Sequence, residues 1–289
     1  MTSPAQSPAS PVVHAIEITD VVVEYVRRDG GRVRALDHAT LEVAAGRRIG
    51  LVGESGSGKS TVAALLSRLL PANGSVTSGR VAVNGRDVLA MDSAEVRALR
   101  RDVVGMIPQD PVSSLDPTMR IGRQLRLALP GIVTSDADAA ELLDRVRIRD
   151  PRGVLRLFPH QISGGMAQRV VIAMTLARNP RVLVADEPTA ALDSSVRHEV
   201  TNLLFEIADE QDTTVVWLSH DLRSVGRWCE RVAVMFDGAV VEEGPAGTVL
   251  QSPTHPYTIA LAGADPASAR PGERIETGVI AQARKGARP

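Results

Sequence analysis

The residues best suited to chemistry occupy one short loop. Nine consecutive residues fit the phosphate-binding loop pattern G-x-x-x-x-G-K-[ST]: Gly53, Glu54, Ser55, Gly56, Ser57, Gly58, Lys59, Ser60 and Thr61. An apolar run precedes this loop and a helix-like run follows it, which is the context that the motif requires. Glycines let backbone N–H groups turn inward around a polyphosphate, Lys59 can reach the outer phosphates, and the Ser60 hydroxyl can ligate Mg²⁺. The motif therefore predicts a loop that binds the phosphates of a nucleotide.

Two adjacent carboxylates follow a second apolar run. Residues 181–185 read as a buried strand, and Asp186 and Glu187 come directly after it. Open α/β sheets bind their ligands at the carboxyl ends of strands, so both side chains are candidates for the same site. Asp186 suits coordination of Mg²⁺ through water, and Glu187 suits the role of general base on a hydrolytic water.

Three further side chains have a functional interpretation and a plain structural one. Gln109 follows a short buried strand and could ligate the same Mg²⁺ or position the attacking water, although turn glutamines are usually only solvated. His220 follows the strand at 214–218 and could hydrogen-bond the γ-phosphate, but it could equally be a capping histidine. Tyr25 lies upstream of the loop and could stack on adenine or be an ordinary half-buried strand tyrosine.

A second helix start has the chemistry of an anion site. Ser163 is a good N-cap residue for the apolar helix that follows it, and Gly164 and Gly165 allow a backbone to approach an anion closely. Two such helix starts in one chain suggest that one polyphosphate is held from two sides.

The elements that must position these residues predict an α/β fold. Strand-like runs at 16–25 and 34–43 suggest a small antiparallel sheet, and the later buried strands suggest a mostly parallel sheet with flanking helices. Residues 112–168 change to helical periodicity and read as a helical insert. We expect one domain at 14–262, with disordered tails at 1–13 and 263–289.

Composition limits the class of protein. The chain has 289 residues, a net charge of −1 and one cysteine, Cys229. This charge gives no long-range attraction to nucleic acid or anionic lipid, so we expect no nucleic-acid partner and no direct membrane insertion. No apolar run approaches the ~18–20 residues of a membrane span, and the N-terminus does not read as a secretory signal. A single cysteine also excludes an internal disulfide.

The order and spacing of the motifs together resemble the ATP-binding subunit of an ABC transporter over residues 14–262. The resemblance implies a P-loop NTPase core that uses ATP and Mg²⁺, with Ser60, Gln109 and Asp186 near the metal. It also implies two such subunits, identical or homologous, paired head to tail. Tyr25 would stack on adenine, Gln109 would sense the γ-phosphate, and Glu187 and His220 would complete an intact hydrolytic site. The residues Ser163, Gly164 and Gly165 would serve the opposite subunit's nucleotide, and Asp193 would cross the dimer interface.

Three segments resemble the dipeptide, oligopeptide and nickel import branch of this family. They are Met166 in the signature, residues 109–117 and residues 253–258. The branch implies two transmembrane permease subunits, an extracytoplasmic solute-binding protein and a peripheral location at the cytoplasmic face of the plasma membrane. Many members end in a cysteine-rich segment, which this chain lacks because Cys229 is its one cysteine.

Two other functions fit parts of the pattern. The ATPase subunit of a phosphonate carbon–phosphorus lyase complex looks similar to this branch and would dock on soluble enzymes. An ABC-type ATPase of DNA repair or translation usually needs two nucleotide domains or a large insert, and the sequence shows neither. The leading hypothesis is therefore an ATPase subunit that powers uptake of peptides or nickel complexes.

Overall fold

The computed structural model describes residues 13–190 and 192–263. That part of the chain contains ten strands in two sheets and ten α-helices, which confirms the predicted α/β class. The strands are β1 (His14–Val26), β2 (Arg32–Ala44), β3 (Arg48–Val52), β4 (Gly74–Val83), β5 (Arg86–Asp87), β6 (Val104–Ile107), β7 (Val182–Asp186), β8 (Thr214–Ser219), β9 (Arg231–Phe236) and β10 (Ala239–Pro245). The helices are α1 (Lys59–Leu66), α2 (Ser93–Ala98), α3 (Ile121–Ala128), α4 (Asp136–Arg145), α5 (Pro151–Val154), α6 (Gly164–Leu176), α7 (Ser194–Glu210), α8 (Leu222–Trp228), α9 (Ala246–Gln251) and α10 (Pro256–Gly263).

The first sheet is antiparallel and has the strand order β2-β1-β4-β5. Buried and exposed residues alternate along β2 from Ala39 to Val43, as expected of a strand with one face in the core and one in solvent. The buried face packs on the second sheet, and Ile16, Ile18 and Leu51 belong to the core between them. This sheet is the predicted antiparallel subdomain.

The second sheet places the chemistry-bearing strand ends together. Its order is β10-β9-β3-β8-β7-β6; β3, β6, β7, β8 and β9 run parallel, and β10 is an antiparallel edge strand. Strands β7 and β8 are buried along almost their whole length because both faces of the sheet are covered. Parallel strands end at the same edge, so the loops after β3, β6, β7 and β8 are neighbours there.

The predicted helical insert contains α3, α4, α5 and the start of α6. These helices bury apolar residues in a second core, shared with the outer face of the parallel sheet; Leu125, Leu129 and Leu143 are fully enclosed. The predicted tails at 1–13 and 263–289 lie outside the described residues, apart from Val13 and Gly263.

Four elements differ from the sequence-based expectation. The sequence predicts a helix to about Arg178 and a last strand over 239–242, whereas α6 ends at Leu176 and β10 continues to Pro245. Helices α9 and α10 were not predicted, because each is short and its apolar residues are explained only by the core that they contact. Among the described helices, none is long and apolar enough to span a membrane.

Candidate active site

The phosphate-binding loop leaves the end of β3 and enters α1. Gly58 has φ 107°, a left-handed conformation, and a Cβ there would lie 2.7 Å from the Ala35 carbonyl oxygen. A Cβ on Gly53 would lie 2.3 Å from the Met235 carbonyl oxygen. These two positions require glycine for backbone conformation and close packing, which explains two of the motif's fixed residues.

Lys59 is held inside its own loop. Its ammonium group donates hydrogen bonds to the carbonyl oxygens of Gly53, at 2.6 Å, and Glu54, at 2.9 Å. Burial lowers the pKa of Lys59, although the charges of Glu187, Asp186 and Glu54 oppose that shift. The carbonyls therefore fix a partly desolvated cation at the loop, where it can meet phosphate oxygens.

Asp186 lies beside the start of α1. One of its carboxylate oxygens accepts a hydrogen bond from the Ser60 hydroxyl at 3.2 Å. Burial raises the pKa of Asp186, and the negative charge of Glu187 adds to this rise against the hydrogen bond from Ser60 and the charge of Lys59. A cation at this carboxylate would relieve the cost of its burial.

Glu187 is the most tightly positioned carboxylate of the site. The amide nitrogen of Gln109 donates to its Oε2 at 3.1 Å, and Nδ1 of His220 lies 2.8 Å from its Oε1. The side chain is 16% exposed, whereas that of His220 is 65% exposed. Glu187 has φ 44°, so the chain turns sharply after β7. That turn allows neighbouring carboxylates on a strand end to reach one cavity.

Most of the predicted site residues line one cavity of about 950 Å³. Glu54, Ser55, Gly56, Gly58, Lys59, Ser60, Thr61, Gln109, Asp186, Glu187 and His220 are all part of its wall. Gly53 and Ser57 lie beneath this wall and support the loop. Sequence reasoning missed the opposite wall, Val33, Arg34 and Ala35, because nothing in β2 marks it as a ligand-binding strand.

Tyr25 lies beside this cavity but does not line it. Its hydroxyl is 3.4 Å from Oγ1 of Thr61, and its ring packs so closely on Gly74 that a Cβ there would come within 2.5 Å. The ring is half-buried in the antiparallel sheet. Stacking on adenine remains a prediction for this residue.

The donor set of the cavity suits a hard cation. Ser60 and Asp186 supply oxygen atoms 3.2 Å apart, and Gln109 adds an amide on the same wall. Mg²⁺ prefers such oxygen ligands and usually completes its shell with water and substrate phosphates. Within the described residues, no group of three or more His, Cys, Asp or Glu side chains could hold a metal by itself. These residues therefore fit a magnesium ion that arrives with a nucleotide.

The second predicted anion site has the expected helix start. Ser163 caps α6, because its hydroxyl accepts a hydrogen bond from the Met166 N–H at 3.2 Å. A Cβ on Gly165 would lie 2.7 Å from a methyl group of Val196, so glycine allows α6 to pack on α7. Asp193 caps α7 by accepting from the Val196 N–H at 3.1 Å.

This second group forms a separate cavity. Ser163, Gly164, Gly165 and Asp193 line a space of about 960 Å³ that shares no residue with the cavity around Lys59. The fold of one chain therefore does not bring the two anion-binding helix starts to one ligand.

Comparison with known proteins adds the family. The family model described as ABC transporter matches residues 36–190. The chain is 40% identical over 256 residues to the oligopeptide transport ATP-binding protein OppD of Salmonella typhimurium, covering 87% of this chain and 76% of that protein. It is 36% identical over 274 residues to OppD of Bacillus subtilis, covering 93% of this chain and 76% of that protein.

Solved structures agree with this result. A dimeric ATP-binding cassette in a post-hydrolysis state, with ADP and phosphate bound, has a TM-score of 0.69 and 29% identity, over 80% of this chain and 98% of that one. The cbiO1 protein of Clostridium perfringens, part of the ABC transporter complex cbiONQ, has a TM-score of 0.69 and 25% identity, over 83% and 91%. The chain belongs to the ABC transporter family, as one of its ATP-hydrolysing, ATP-binding subunits.

Proposed function

We propose that this chain powers import of oligopeptides by hydrolysing ATP beneath a pair of membrane permeases. The observation that carries the proposal is the meeting of Lys59, Ser60, Asp186 and Glu187 in one cavity, on a chain whose relatives are oligopeptide transport proteins. The cavity supplies each group that phosphoryl transfer to water requires: phosphate donors, a cation site and a base.

Each residue has a role that its contacts support. The N–H groups of the loop and Lys59 hold the phosphates of ATP, and the adenine lies toward Tyr25. Ser60, Asp186 and Gln109 hold Mg²⁺, which when bound neutralises charge on the phosphates. Glu187 accepts the proton of the attacking water as the bond from its oxygen to the γ-phosphorus forms and the bond from that phosphorus to the bridging oxygen breaks, which releases ADP and phosphate. Gln109 and His220 keep its carboxylate in place, and His220 can also reach the γ-phosphate.

The separation of the two cavities supports a two-subunit site. A helix start at Ser163 that cannot reach its own chain's loop remains available to the loop of a second ATP-binding subunit. Head-to-tail pairing would complete both sites at once, with Asp193 at the interface. The related cassette solved with ADP and phosphate is itself a dimer.

The helical insert carries a surface suited to a permease. A cavity of about 640 Å³ is lined by Arg120, Arg123, Arg126, Arg152 and Arg156. Its one carboxylate, Asp136, pairs with Arg126, and Arg123 interacts with the charge of Asp116 outside the cavity, so the lining itself carries an excess of positive charge. The cavity follows the Gln109 loop in sequence, and an acidic cytoplasmic segment of a permease would complement its charge. This partner places the chain peripherally at the cytoplasmic face of the plasma membrane, and a solute-binding protein would deliver the peptide outside.

Peptide is the substrate class that the comparisons favour. The OppD proteins of Salmonella typhimurium and Bacillus subtilis are both named for oligopeptide transport. No feature of the described residues favours a nickel complex or a carbon–phosphorus lyase complex, and both remain untested predictions.

Reconstitution with its permeases tests this function. The chain is purified from its native membrane with the permeases that accompany it, placed in vesicles with their solute-binding protein, and supplied with ATP–Mg²⁺ on its own side. We expect uptake of labelled short oligopeptides that stops in Lys59→Ala, the control for ATP dependence. Uptake of a nickel complex but no peptide, or recovery of soluble lyase enzymes in place of permeases, would contradict the proposal.

A further inference from the structure

The segment after β10 is fastened to that strand by one carboxylate. Oε1 of Glu242 accepts hydrogen bonds from the N–H of Thr254, at 2.8 Å, and from its hydroxyl, at 3.0 Å. Oε2 accepts from the N–H of His255 at 3.0 Å. The ring nitrogen Nδ1 of His255 in turn accepts from the N–H of Tyr257 at 3.2 Å, at the start of α10. Residues 253–258, singled out in the sequence for their resemblance to one branch, thus consist of a hydrogen-bonded turn at 253–255 and the first residues of α10.

This turn positions the side chain of Tyr257 in the core, next to the loop that lines the nucleotide cavity. Tyr257 is fully buried, and its ring lies tilted against Phe236 with centroids 4.4 Å apart. Its hydroxyl accepts a hydrogen bond from the N–H of Glu54 at 2.9 Å, across 203 residues of sequence. Glu54 is the second residue of the phosphate-binding loop, so the last described helix is tied directly to that loop.

The backbone N–H and carbonyl groups of Glu54 are both held by hydrogen bonds. Its carbonyl oxygen accepts from Nζ of Lys59, at 2.9 Å, and from the N–H of Ser57, at 3.2 Å. The N–H on its other side is held by Tyr257. These bonds restrain the loop at its first turn.

We infer that Tyr257 is a positioning residue for nucleotide binding: its hydroxyl orients the Glu54 peptide, and through it Lys59, so that the loop is ordered before phosphate arrives. The inference rests on the proposed role of the loop in holding the phosphates of ATP. Ordering a binding loop in advance lowers the entropy lost on binding and so tightens affinity. The turn held by Glu242 keeps Tyr257 in register.

The test removes only the hydroxyl, in the full-length chain. Tyr257→Phe should raise the dissociation constants of ATP–Mg²⁺ and ADP–Mg²⁺ by the same factor, roughly 3- to 10-fold, the worth of one hydrogen bond. The factor is shared because the loop holds the phosphates common to both nucleotides. In the permease complex at saturating ATP, kcat should change by less than about twofold, since Glu187, Gln109 and His220 are untouched. Titration calorimetry and steady-state kinetics measure these quantities.

Thr213→Val is the matched control. Like Tyr257→Phe, this substitution removes a buried hydroxyl that is hydrogen-bonded to the backbone. The Thr213 hydroxyl donates to the carbonyl oxygen of Pro180 at 2.9 Å, and Thr213 lies outside the nucleotide cavity. We expect it to lower Tm without changing nucleotide affinity. A Tyr257→Phe protein that loses Tm but keeps both dissociation constants within about twofold of wild type would overturn the inference, since its hydroxyl would then serve stability alone.

A second variant covers failure of Tyr257→Phe to fold. In Glu242→Gln the side-chain NH₂ replaces one of the oxygens that accept from Thr254 and His255, so a hydrogen bond of the turn is lost. We expect the dissociation constants of ATP–Mg²⁺ and ADP–Mg²⁺ to rise by the same factor. Unchanged dissociation constants would overturn the inference. Wild type and Lys59→Ala are titrated alongside. If wild type does not bind ATP–Mg²⁺, the proposed function itself fails. If it binds and Lys59→Ala does not, an unchanged Tyr257→Phe refutes only the role of Tyr257.

Discussion

Glu187 and Asp186 are adjacent residues with different environments, and this difference assigns their roles. Glu187 accepts from Gln109 and contacts His220, whereas Asp186 contacts the Ser60 hydroxyl beside Lys59. The first arrangement suits the proposed base, and the second suits the proposed oxygen ligand of a cation. Substitution of each carboxylate by its amide should therefore affect different steps.

Glu187→Gln should slow ATP hydrolysis in the assembled complex by roughly 10²- to 10⁴-fold, the usual contribution of a positioned base. Its ATP affinity should stay nearly normal, because the loop contacts remain, and the paired subunits should stay closed around unhydrolysed ATP. Single-turnover hydrolysis and nucleotide titration measure the two effects. Asp186→Asn, the companion variant, should instead weaken Mg²⁺-dependent binding. Near-normal hydrolysis by Glu187→Gln would mean that another group is the base.

Asp186 also predicts how stability depends on pH. Its pKa is raised from the ordinary 3.8 by burial, so the folded chain binds a proton that the unfolded chain has already lost. The ionised form therefore destabilises the fold once pH passes above the raised pKa. We expect Asp186→Asn to raise Tm near pH 7 and to lose this advantage as pH falls below about 3.8. Thermal unfolding followed across this pH range measures the difference.

Asp138 is a control of opposite sign. Hydrogen bonds from Thr134 and Ser135 lower its pKa from 3.8 to about 2. Its contribution is present above the unfolded value and is lost as pH falls through about 2. Asp138→Asn should therefore lower Tm near neutral pH. If both aspartate variants moved Tm in the same direction there, the assigned effect of burial at Asp186 would be wrong.

At the scale of elements, two of the described helices have a serine N-cap, but only one of these caps lines a candidate ligand site. Ser163 caps α6 and lines the second cavity, whereas Ser135 caps α4 with the help of Asp138. Replacing either serine by alanine should cost about 1 kcal/mol of stability, the usual worth of an N-cap. Ser163→Ala should also reduce ATP turnover in the paired subunits, because its hydroxyl would contact the opposite nucleotide.

Chemical denaturation and turnover in the permease complex separate the two effects. Ser135→Ala should match the loss of stability and keep normal turnover. Equal turnover in both variants would indicate that Ser163 has only a capping role.

Whether the sequence could predict an element depended on how far apart in the chain its contacting residues lie. Buried parallel strands and capped helices are encoded locally, so β7 and β8 lie within one residue of the predicted runs, and the cap at Ser163 is present. The left-handed conformation of Glu187 has no local signal, since that residue type rarely adopts it. The contact between Tyr257 and Glu54 joins residues 203 positions apart, and no periodicity reveals such a pairing.

The same limit applies to the site as a whole. The motifs predicted which residues carry chemistry because each needs a particular side chain in a particular local setting. They did not predict the wall formed by Val33, Arg34 and Ala35, which reaches the cavity only through packing of one sheet on the other. Nor did they predict the arginine cavity, whose arginines come from α3, from α5 and from residues beside these two helices.

At the scale of the whole molecule, the separation of the two cavities leads us to expect that function needs a second ATP-binding subunit. We expect the isolated chain to bind ATP–Mg²⁺ yet hydrolyse it slowly, with a rate per subunit that falls on dilution. Where two copies pair, mixing Lys59→Ala with Ser163→Ala should restore turnover. In such a mixed pair, one site combines the Lys59→Ala loop with the Ser163→Ala helix start. The other site combines the two unaltered halves and is intact, provided that the helix start acts across the interface. Mixtures no more active than either variant alone, together with a rate unaffected by dilution, would show that each chain works by itself.

The arginine cavity is the surface at which we propose that the permease binds. Five arginines and one aspartate line it, so this pocket is positive on a chain whose net charge is only −1. An acidic segment would neutralise that pocket, and reversed charges would repel it. The double variant Arg123→Glu, Arg156→Glu should therefore weaken retention on permease-containing membranes by about tenfold or more, with ATP–Mg²⁺ affinity unchanged.

The matched control is Arg80→Glu with Arg181→Glu, two exposed arginines outside this cavity, which changes net charge equally. Co-sedimentation with permease-containing and protein-free anionic vesicles, at low and high salt, measures retention. Wild type should bind the permease vesicles, and salt should weaken this binding because the contacts are ionic. The control should bind like wild type, since bulk charge is not what the permease recognises. Equal retention of both double variants would place permease docking elsewhere on the chain, and tight binding of wild type to protein-free vesicles would identify lipid as the acidic surface.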